Sequence, residues 1–283
     1  MSMSTNNSHG IVVPETLGEL VIAAAARGSI AMRASTVVTT PSRDYRVPVL
    51  AGLPSSAFVV EGAELALGDV GIEELTITPA KAGHVAPLSR ELVRDSFREN
   101  APEIVADAQG FDIAKRIDLA FFGGNNPVAN DGLQVLAGVQ EVDAGELFNL
   151  DPFAEAQSLS EDVGGTVTSF VASPTNALIL TQLKRATGSN EPLLQAGISD
   201  PTAPVTRQIL GSQLLVSPAV GDDVIWAIPQ TASLVVVRED VDTEVSTDVY
   251  FTSDRVAVKT TMRVGWAWPH PAAVVKINVS QGS

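Results

Sequence analysis

The sequence predicts an α+β fold carrying an extended two-stranded projection, and three observations support that reading. Polar and apolar residues alternate at Tyr45–Val49 and again at Leu75–Thr78, the period of two that strands require. Apolar residues recur at helical spacing through Ile104, Val105, Ala108, Phe111, Ala114, Ile117 and Phe121. From residue 130 onward helical and strand patterns mix without an internal repeat, as in an α+β domain.

The first ten residues are polar. Pro14 then opens a short helix, with Leu17, Leu20, Val21 and Ala24 at i, i+3, i+4 and i+7 and Gly28 as its stop. Ser29 to Ser42 is rich in Thr, Val and Ser and has no evident partner. Residues 1–44 therefore read as an arm, too poor in apolar residues to form a core of their own.

Residues 45–86 read as an extended loop. Between its two strands, Ala63 to Gly71 is rich in Gly and acidic residues and holds no apolar run long enough for a core. Strands of about 14 residues at roughly 3.3 Å each would reach about 45 Å. An isolated ribbon of that length is marginal in water. It is expected to rest on something outside its own domain, most simply a neighbouring copy of the chain.

Beyond the ribbon, Ser89 is expected to cap a short helix with Glu91 and Leu92 in its first turn. Asn100, Pro102 and Glu103 open the long helix, Ala101 to Phe122, about 33 Å in length. Gly110 within it costs about 1 kcal/mol relative to Ala, so packing must stabilise the helix. Asp151 is expected to cap a helix over Pro152–Val163, and Pro174–Ala186 forms another, stopped by Gly188. Ser189–Arg207, with three prolines, reads as a loop. Strands are expected at Thr166–Ala172, Gln208–Ser217, Val224–Ile228, Leu234–Arg238, Val241–Phe251, Val256–Trp266 and Ala272–Val279.

At 283 residues the chain suits one large domain or two smaller ones, and its 45% apolar content argues for an ordered protein. There is no cysteine, so disulfides and thiolate metal sites are excluded. The net charge is −15. In residues 1–50 the four arginines Arg27, Arg33, Arg43 and Arg46 face Glu15, Glu19 and Asp44, leaving +1, so the remainder carries −16. Such a chain does not grip nucleic acid through many phosphate contacts. No secretion signal or membrane span is evident; the apolar run Leu20–Ala26 is short and flanked by Glu19 and Arg27.

Catalytic chemistry has no anchor here. The histidines are His9 in a polar tail, His84 near the base of the ribbon and His270 between two prolines. None of the GxSxG, GxxxxGK[ST], GxGxxG or HExxH patterns occurs. The acidic pairs Glu73-Glu74 and Asp222-Asp223 read as solvated turn carboxylates, and Trp226, Trp266 and Trp268 as core residues. No enzyme, cofactor or metal role is expected.

The order of parts resembles the major capsid proteins of tailed bacteriophages with the Hong Kong 97-type fold. Ser56-Ala57-Phe58-Val59-Val60-Glu61-Gly62 resembles the start of that family's extended loop. Leu88 to Ser96 resembles the segment entering its spine helix, and Asp118 to Gly124 followed by Gly132-Leu133 its helix exit. Val171 to Pro174 with Leu183-Lys184 and Gly188, Ile209 to Ser217, and Pro271 to Val275 are similar to later family segments. The likeness covers about residues 11–279.

The resemblance implies an N-terminal arm (1–44), an extended β-hairpin loop (45–86), a peripheral domain with a long spine helix (87–130 and 240–270) and an axial domain (131–239 and 271–283). The Ser189–Arg207 loop would approach the capsomer axis. It implies hexamers and pentamers of the chain closing into an icosahedral shell around packaged double-stranded DNA, contacted non-specifically, in a virion assembled in the bacterial host cytoplasm. Arm-like sequence follows Met1 almost at once, so assembly is expected to use a separate scaffold or none unless the chain is a processed form, with portal and cement or decoration proteins as further partners. Covalent welding of subunits is not expected, because the ribbon's only lysine is Lys81, near its base, and Val256–Arg263 contains no Glu. Inter-subunit contacts are expected at Arg27, Arg33, Arg43, Arg46, Phe58, Glu61, Glu64, Glu73 and Glu74, the arginines pairing with acidic groups on neighbours. Alternative readings are an encapsulin-like compartment shell, a cytosolic α+β enzyme, and a tail or decoration protein.

Overall fold

The computed structural model describes residues 28–50, 58, 71–89, 101–184, 193–194, 196–197, 206–238, 242–246 and 248–280. In chain order the arm gives a short helix α1 (Ile30–Ala34) and strand β1 (Thr36–Thr40). The ribbon follows as β2 (Tyr45–Leu50) and β3 (Ile72–Ile77), then β4 (Ala80–Ser89) and the long helix α2 (Ala101–Phe121). Next come β5 (Gln140–Gly145), α3 (Asp151–Asp162), β6 (Ser169–Ala172) and α4 (Pro174–Gln182). The remaining strands are β7 (Ala196–Gly197), β8 (Thr206–Ile209), β9 (Ser212–Val216), β10 (Val224–Ile228), β11 (Leu234–Arg238), β12 (Asp242–Ser246), β13 (Arg255–Ala267) and β14 (Val275–Val279).

Two large sheets result. The first is ordered β1-β11-β13-β12, with β4 also paired to β13. Residues 257–261 of β13 pair with both β12 and β4, so these two lie on its opposite edges. Helix α2 packs against this sheet. Gln109 Nε2 donates to Val258 O at 3.5 Å, and Thr260 Oγ1 donates to Gln109 Oε1 at 2.7 Å, in buried surroundings that favour satisfied polar pairs.

The second sheet is ordered β5-β14-β10-β6-β9-β8-β7. Its interior strand β10 is buried at all five positions because both faces are covered. Val224, Trp226 and Ile228 face one core, shared with Ala31, Met32, Ile117, Phe121 and Trp266. Ile225 and Ala227 face the other, against Phe153, Ala156, Phe170 and Ile277. The alternation of one strand thus makes a common wall for two cores.

Helix α2 ends in an aromatic cluster, with Phe121 centred 4.9 Å from Phe122, 5.9 Å from Trp266 and 4.7 Å from Trp268. Trp266 Nε1 donates to Asp131 O at 2.8 Å, satisfying its polar end. The exit then requires glycine. A β-carbon on Gly132 would run into Gly123 O and stand 2.6 Å from Ala120 O. That close backbone approach lets Gly132 N reach Gly124 O at 3.1 Å.

Several expectations change against the structure. Ser29–Ser42 does have a partner: β1 runs parallel to β11, from Thr36 beside Leu234 to Thr40 beside Arg238. The long-helix stripe is shifted, since Gln109, Ile113, Ala114, Ile117 and Asp118 are buried while Ala108 and Phe111 are exposed. Asp151 lies inside α3 and Leu150 takes the N-cap position. Gln208–Ser217 is a hairpin, turning at Leu210 and Gly211 with φ of 48° and 86°, because Gly at the second position suits a type I′ turn. Pro271–Ala273 forms a 3-10 turn, so β14 starts only at Val275. Residues 196–197 of the expected loop pair with β8. The strand expected over Val241–Phe251 is β12 alone, Asp242–Ser246, and that over Thr166–Ala172 begins at Ser169. The helix expected after Ser89, the Pro14 helix and the ribbon tip lie outside the described residues, apart from Phe58.

Candidate functional site

The ribbon is two things joined end to end. Tyr45 pairs with Ile77 at its base, Val47 with Leu75, and Leu50 with Ile72 at its described outer end. At the base Ile77 is fully buried and packs with Leu234, Val236 and Ala267, and Tyr45, Val47 and Leu75 pack partly buried against them. The expectation that the ribbon rests wholly outside its own domain is therefore corrected at the base, which is seated on the first sheet. Outward the burial disappears: Leu50 is 59% exposed and Ile72 68%.

Alternation along paired strands puts 45, 47 and 49 on the face toward the sheet, and 46, 48 and 50 on the other. Leu50 and Ile72 are thus a directly opposed apolar pair on the outer face. Phe58 further along is fully exposed as well. Cross-strand apolar pairs stabilise sheets, but here both members still present most of their surface to water.

The expected contact residues separate under the structure. Arg27, Glu61 and Glu64 lie outside the described residues. Arg33 is exposed on α1 and Arg43 on the turn between β1 and β2. Arg46 Nε lies 3.2 Å from Glu74 Oε1, an ion pair within the ribbon's outer face, both side chains more than half exposed. Glu73 is exposed on the opposite face. Of the six that are described, only Arg46 and Glu74 are brought together. His84 is exposed on β4, opposite Thr260.

Sequence reasoning missed the residue that anchors the arm. Asp118, only 5% exposed, projects from α2 under the start of α1. Ser29 Oγ donates to Asp118 Oδ1 at 2.7 Å, Ala31 N to Oδ1 at 3.0 Å and Ile30 N to Oδ2 at 3.0 Å. Ser217 Oγ, just after β9, donates to Oδ2 at 3.4 Å. One carboxylate therefore joins the arm, the long helix and the second sheet. Burial pushes its pKa above the ordinary aspartate value, and the hydrogen bonds from Ser29, Ala31, Ile30 and Ser217 pull the other way. The available signal was a lone acid amid apolar neighbours, Ile117, Leu119 and Phe121.

Among the described residues no group of three or more His, Asp or Glu side chains converges as a metal site would require. No described helix is long and apolar enough to cross a membrane. What the molecule presents is a braced body with one half-bare ribbon, an arrangement suited to binding another protein surface.

Comparison with known proteins fits that arrangement. The model of the phage capsid family matches residues 9–279. No curated protein matches the chain by sequence. Among solved structures the fold is similar to one from Microbacterium phage Oxtober96, with a TM-score of 0.69, 20% identity and 98% and 96% of the two chains covered. A structure from Gordonia phage Cozz gives 0.67 at 17% identity, covering 90% and 87%. The capsid of a native GTA particle computed with C5 symmetry gives 0.65 at 16% identity, covering 99% and 95%. At such identities the structural likeness establishes the α+β, Hong Kong 97-type fold, while the family match spans nearly every residue. The chain belongs to the phage capsid family and is a major capsid protein, a structural subunit of an icosahedral shell.

Proposed function

We propose that this subunit assembles as hexamers and pentamers into a head shell that encloses double-stranded DNA, each ribbon clasping an adjoining copy. The observation that carries the clasp is the Leu50–Ile72 pair, exposed at the outer end of a ribbon whose base is fixed in the subunit's own sheet. Fully burying a Leu or Ile side chain stabilises by about 1.5–3 kcal/mol. With about 60% of each still exposed, a neighbour covering both would gain roughly 2–3 kcal/mol before ordering costs. Contacts of that size are weak singly and strong when many act together, which permits correction during assembly.

In this reading residues 1–44 form the arm, 45–86 the extended loop, 87–130 and 240–270 the peripheral domain, and 131–239 with 271–283 the axial domain. Exposed Arg33 and Arg43, with Arg27, meet acidic groups on neighbours, and the ribbon's Glu61, Glu64 and Glu73 make further inter-subunit contacts. Assembly takes place in the host cytoplasm with a separate scaffold, portal and cement proteins, and the acidic chain holds DNA without tight phosphate contacts. The work is mechanical, with no catalytic step.

Negative-stain microscopy of the expressed protein tests this. Closed shells are expected, and paired substitution of Leu50→Asp and Ile72→Asp should leave folded subunits that no longer close. Persistent monomers of the unaltered chain, both alone and coexpressed with the scaffold, would overturn the reading. Shells filled with protein cargo and devoid of DNA would assign a storage compartment instead.

A further inference from the structure

An open pocket of about 340 Å3 lies where the start of β4, the second half of α2 and the loop after α2 meet. Buried Ile117, Val264 and Trp266 line it, together with two exposed cations, Lys81 and Arg116. Val128, also in its lining, is 78% exposed. Among the described residues neither Lys81 nor Arg116 forms an ion pair. An adjoining groove of about 300 Å3 adds Lys115 and a single acid, Asp112. A concave site of this size, apolar within and carrying a few charges, suits one large apolar side chain flanked by carboxylates.

The ribbon carries such a side chain. Phe58 leaves its whole surface in water, so its own subunit does not cover it. Aromatic side chains bury about 150–250 Å2 each and serve as anchors of protein contacts. Charge agrees, because between Arg46 and Lys81 the chain holds Glu61, Glu64, Asp69, Glu73 and Glu74 and no Lys or Arg. The subunit's own ribbon starts from the opposite face of the first sheet. Its base rests on Leu234, Val236 and Ala267, whereas Val264 and Trp266 of the pocket share the other core with Ile117 and Phe121.

We propose that Phe58 of one copy inserts into this pocket on an adjoining copy, between α2 and β4, with Lys81 and Arg116 drawing in the acidic ribbon. The contact joins two different patches of the same chain, the heterologous kind that closes into rings. It depends on the ribbon clasp proposed above and gives that clasp its seat.

The chain holds no cysteine of its own to interfere with a cross-linking test. In assembled shells, Phe58→Cys combined with Val128→Cys should oxidise to a ladder of covalent oligomers on a denaturing, non-reducing gel. Phe58→Cys with Phe148→Cys, an exposed position outside the pocket, should cross-link at least tenfold less. Equal ladders from both pairs, a product of monomer size alone, or shells without cross-links would overturn the seat and leave the clasp standing. As a measurement without cysteines, Phe58→Ala should lower the yield of shells at least tenfold and leave the Tm of the free subunit unchanged, while Phe58→Leu keeps most of the yield. Undiminished shells from Phe58→Ala would overturn the seat alone, and a fall in Tm would assign Phe58 to its own subunit and overturn it too. Failure of the unaltered chain to form shells would defeat the clasp and this contact together.

Discussion

Replacing Asp118 by alanine should loosen the arm without unfolding the body. The substitution strands four donors that now share one buried carboxylate: Ser29 Oγ at 2.7 Å, the Ile30 and Ala31 amides at 3.0 Å each, and Ser217 Oγ at 3.4 Å. An unsatisfied buried donor costs about 1–3 kcal/mol, and bonds to a charged acceptor lie at the upper end. One effect reduces the total: removing the carboxylate relieves its desolvation. The net loss is about 3 kcal/mol, on the order of a 100-fold increase in local opening at about 1.4 kcal/mol per decade. Hydrogen exchange by mass spectrometry reads this as faster labelling of a peptide covering residues 28–40, while β10 and β14 keep their protection. Unchanged exchange in the arm would refute the anchoring role. The pH dependence has a definite sign. The folded-state pKa is raised by burial, so the folded chain binds the proton more tightly than the unfolded one. Stability from this group is fully present below the ordinary aspartate value and is lost as pH rises through the raised one. The difference between the unaltered chain and Asp118→Asn should therefore shrink with rising pH across that window and stay constant above it.

Other perturbations separate the fold from assembly. Gly132→Ala forces a β-carbon onto the Gly123 and Ala120 carbonyls and should cost 3 kcal/mol or more, seen as insoluble expression or a large fall in Tm. Phe121→Ala opens a hole between Phe122, Trp266 and Trp268 and should destabilise by about 3–5 kcal/mol in denaturant titration. Arg46→Glu alone should change subunit stability by well under 1 kcal/mol, because the pair with Glu74 is exposed; a large loss would mean the pair is shielded by a neighbour. Charge reversal of Arg27, Arg33, Arg43 and Arg46 together should impair shell formation in microscopy, and intact shells would remove their assigned role.

The elements legible in the sequence were those with a period and a stop. The Val224–Ile228 and Leu234–Arg238 strands match as short continuous apolar runs, the ribbon base by its alternation, and the long helix by a 3.6-residue stripe whose buried face is shifted. The Leu210–Gly211 turn was hidden because Leu rarely takes φ of 48° and so gives no turn signal. The partner of β1 was invisible for a different reason: nearly 200 residues separate Thr36 from Leu234, and pairing at that distance leaves no local trace. Asp118 was passed over because a carboxylate in an apolar stripe reads as an interruption until its donors, some ninety residues away, are in place. The exposed Leu50–Ile72 pair needed the register before two ordinary strand residues became a patch.

Strand β14 lies between β5 and β10, and that position has a consequence for timing. During synthesis the ribosome delivers Val275–Val279 after every other strand of that sheet. Until they arrive, β5 has no connection to the rest, and the wall shared by the two cores stands with an open edge. A polypeptide cut short before this point would lack its final stave, so only finished products would be rigid enough to be built in, and truncated ones would be screened out before they could spoil a growing particle.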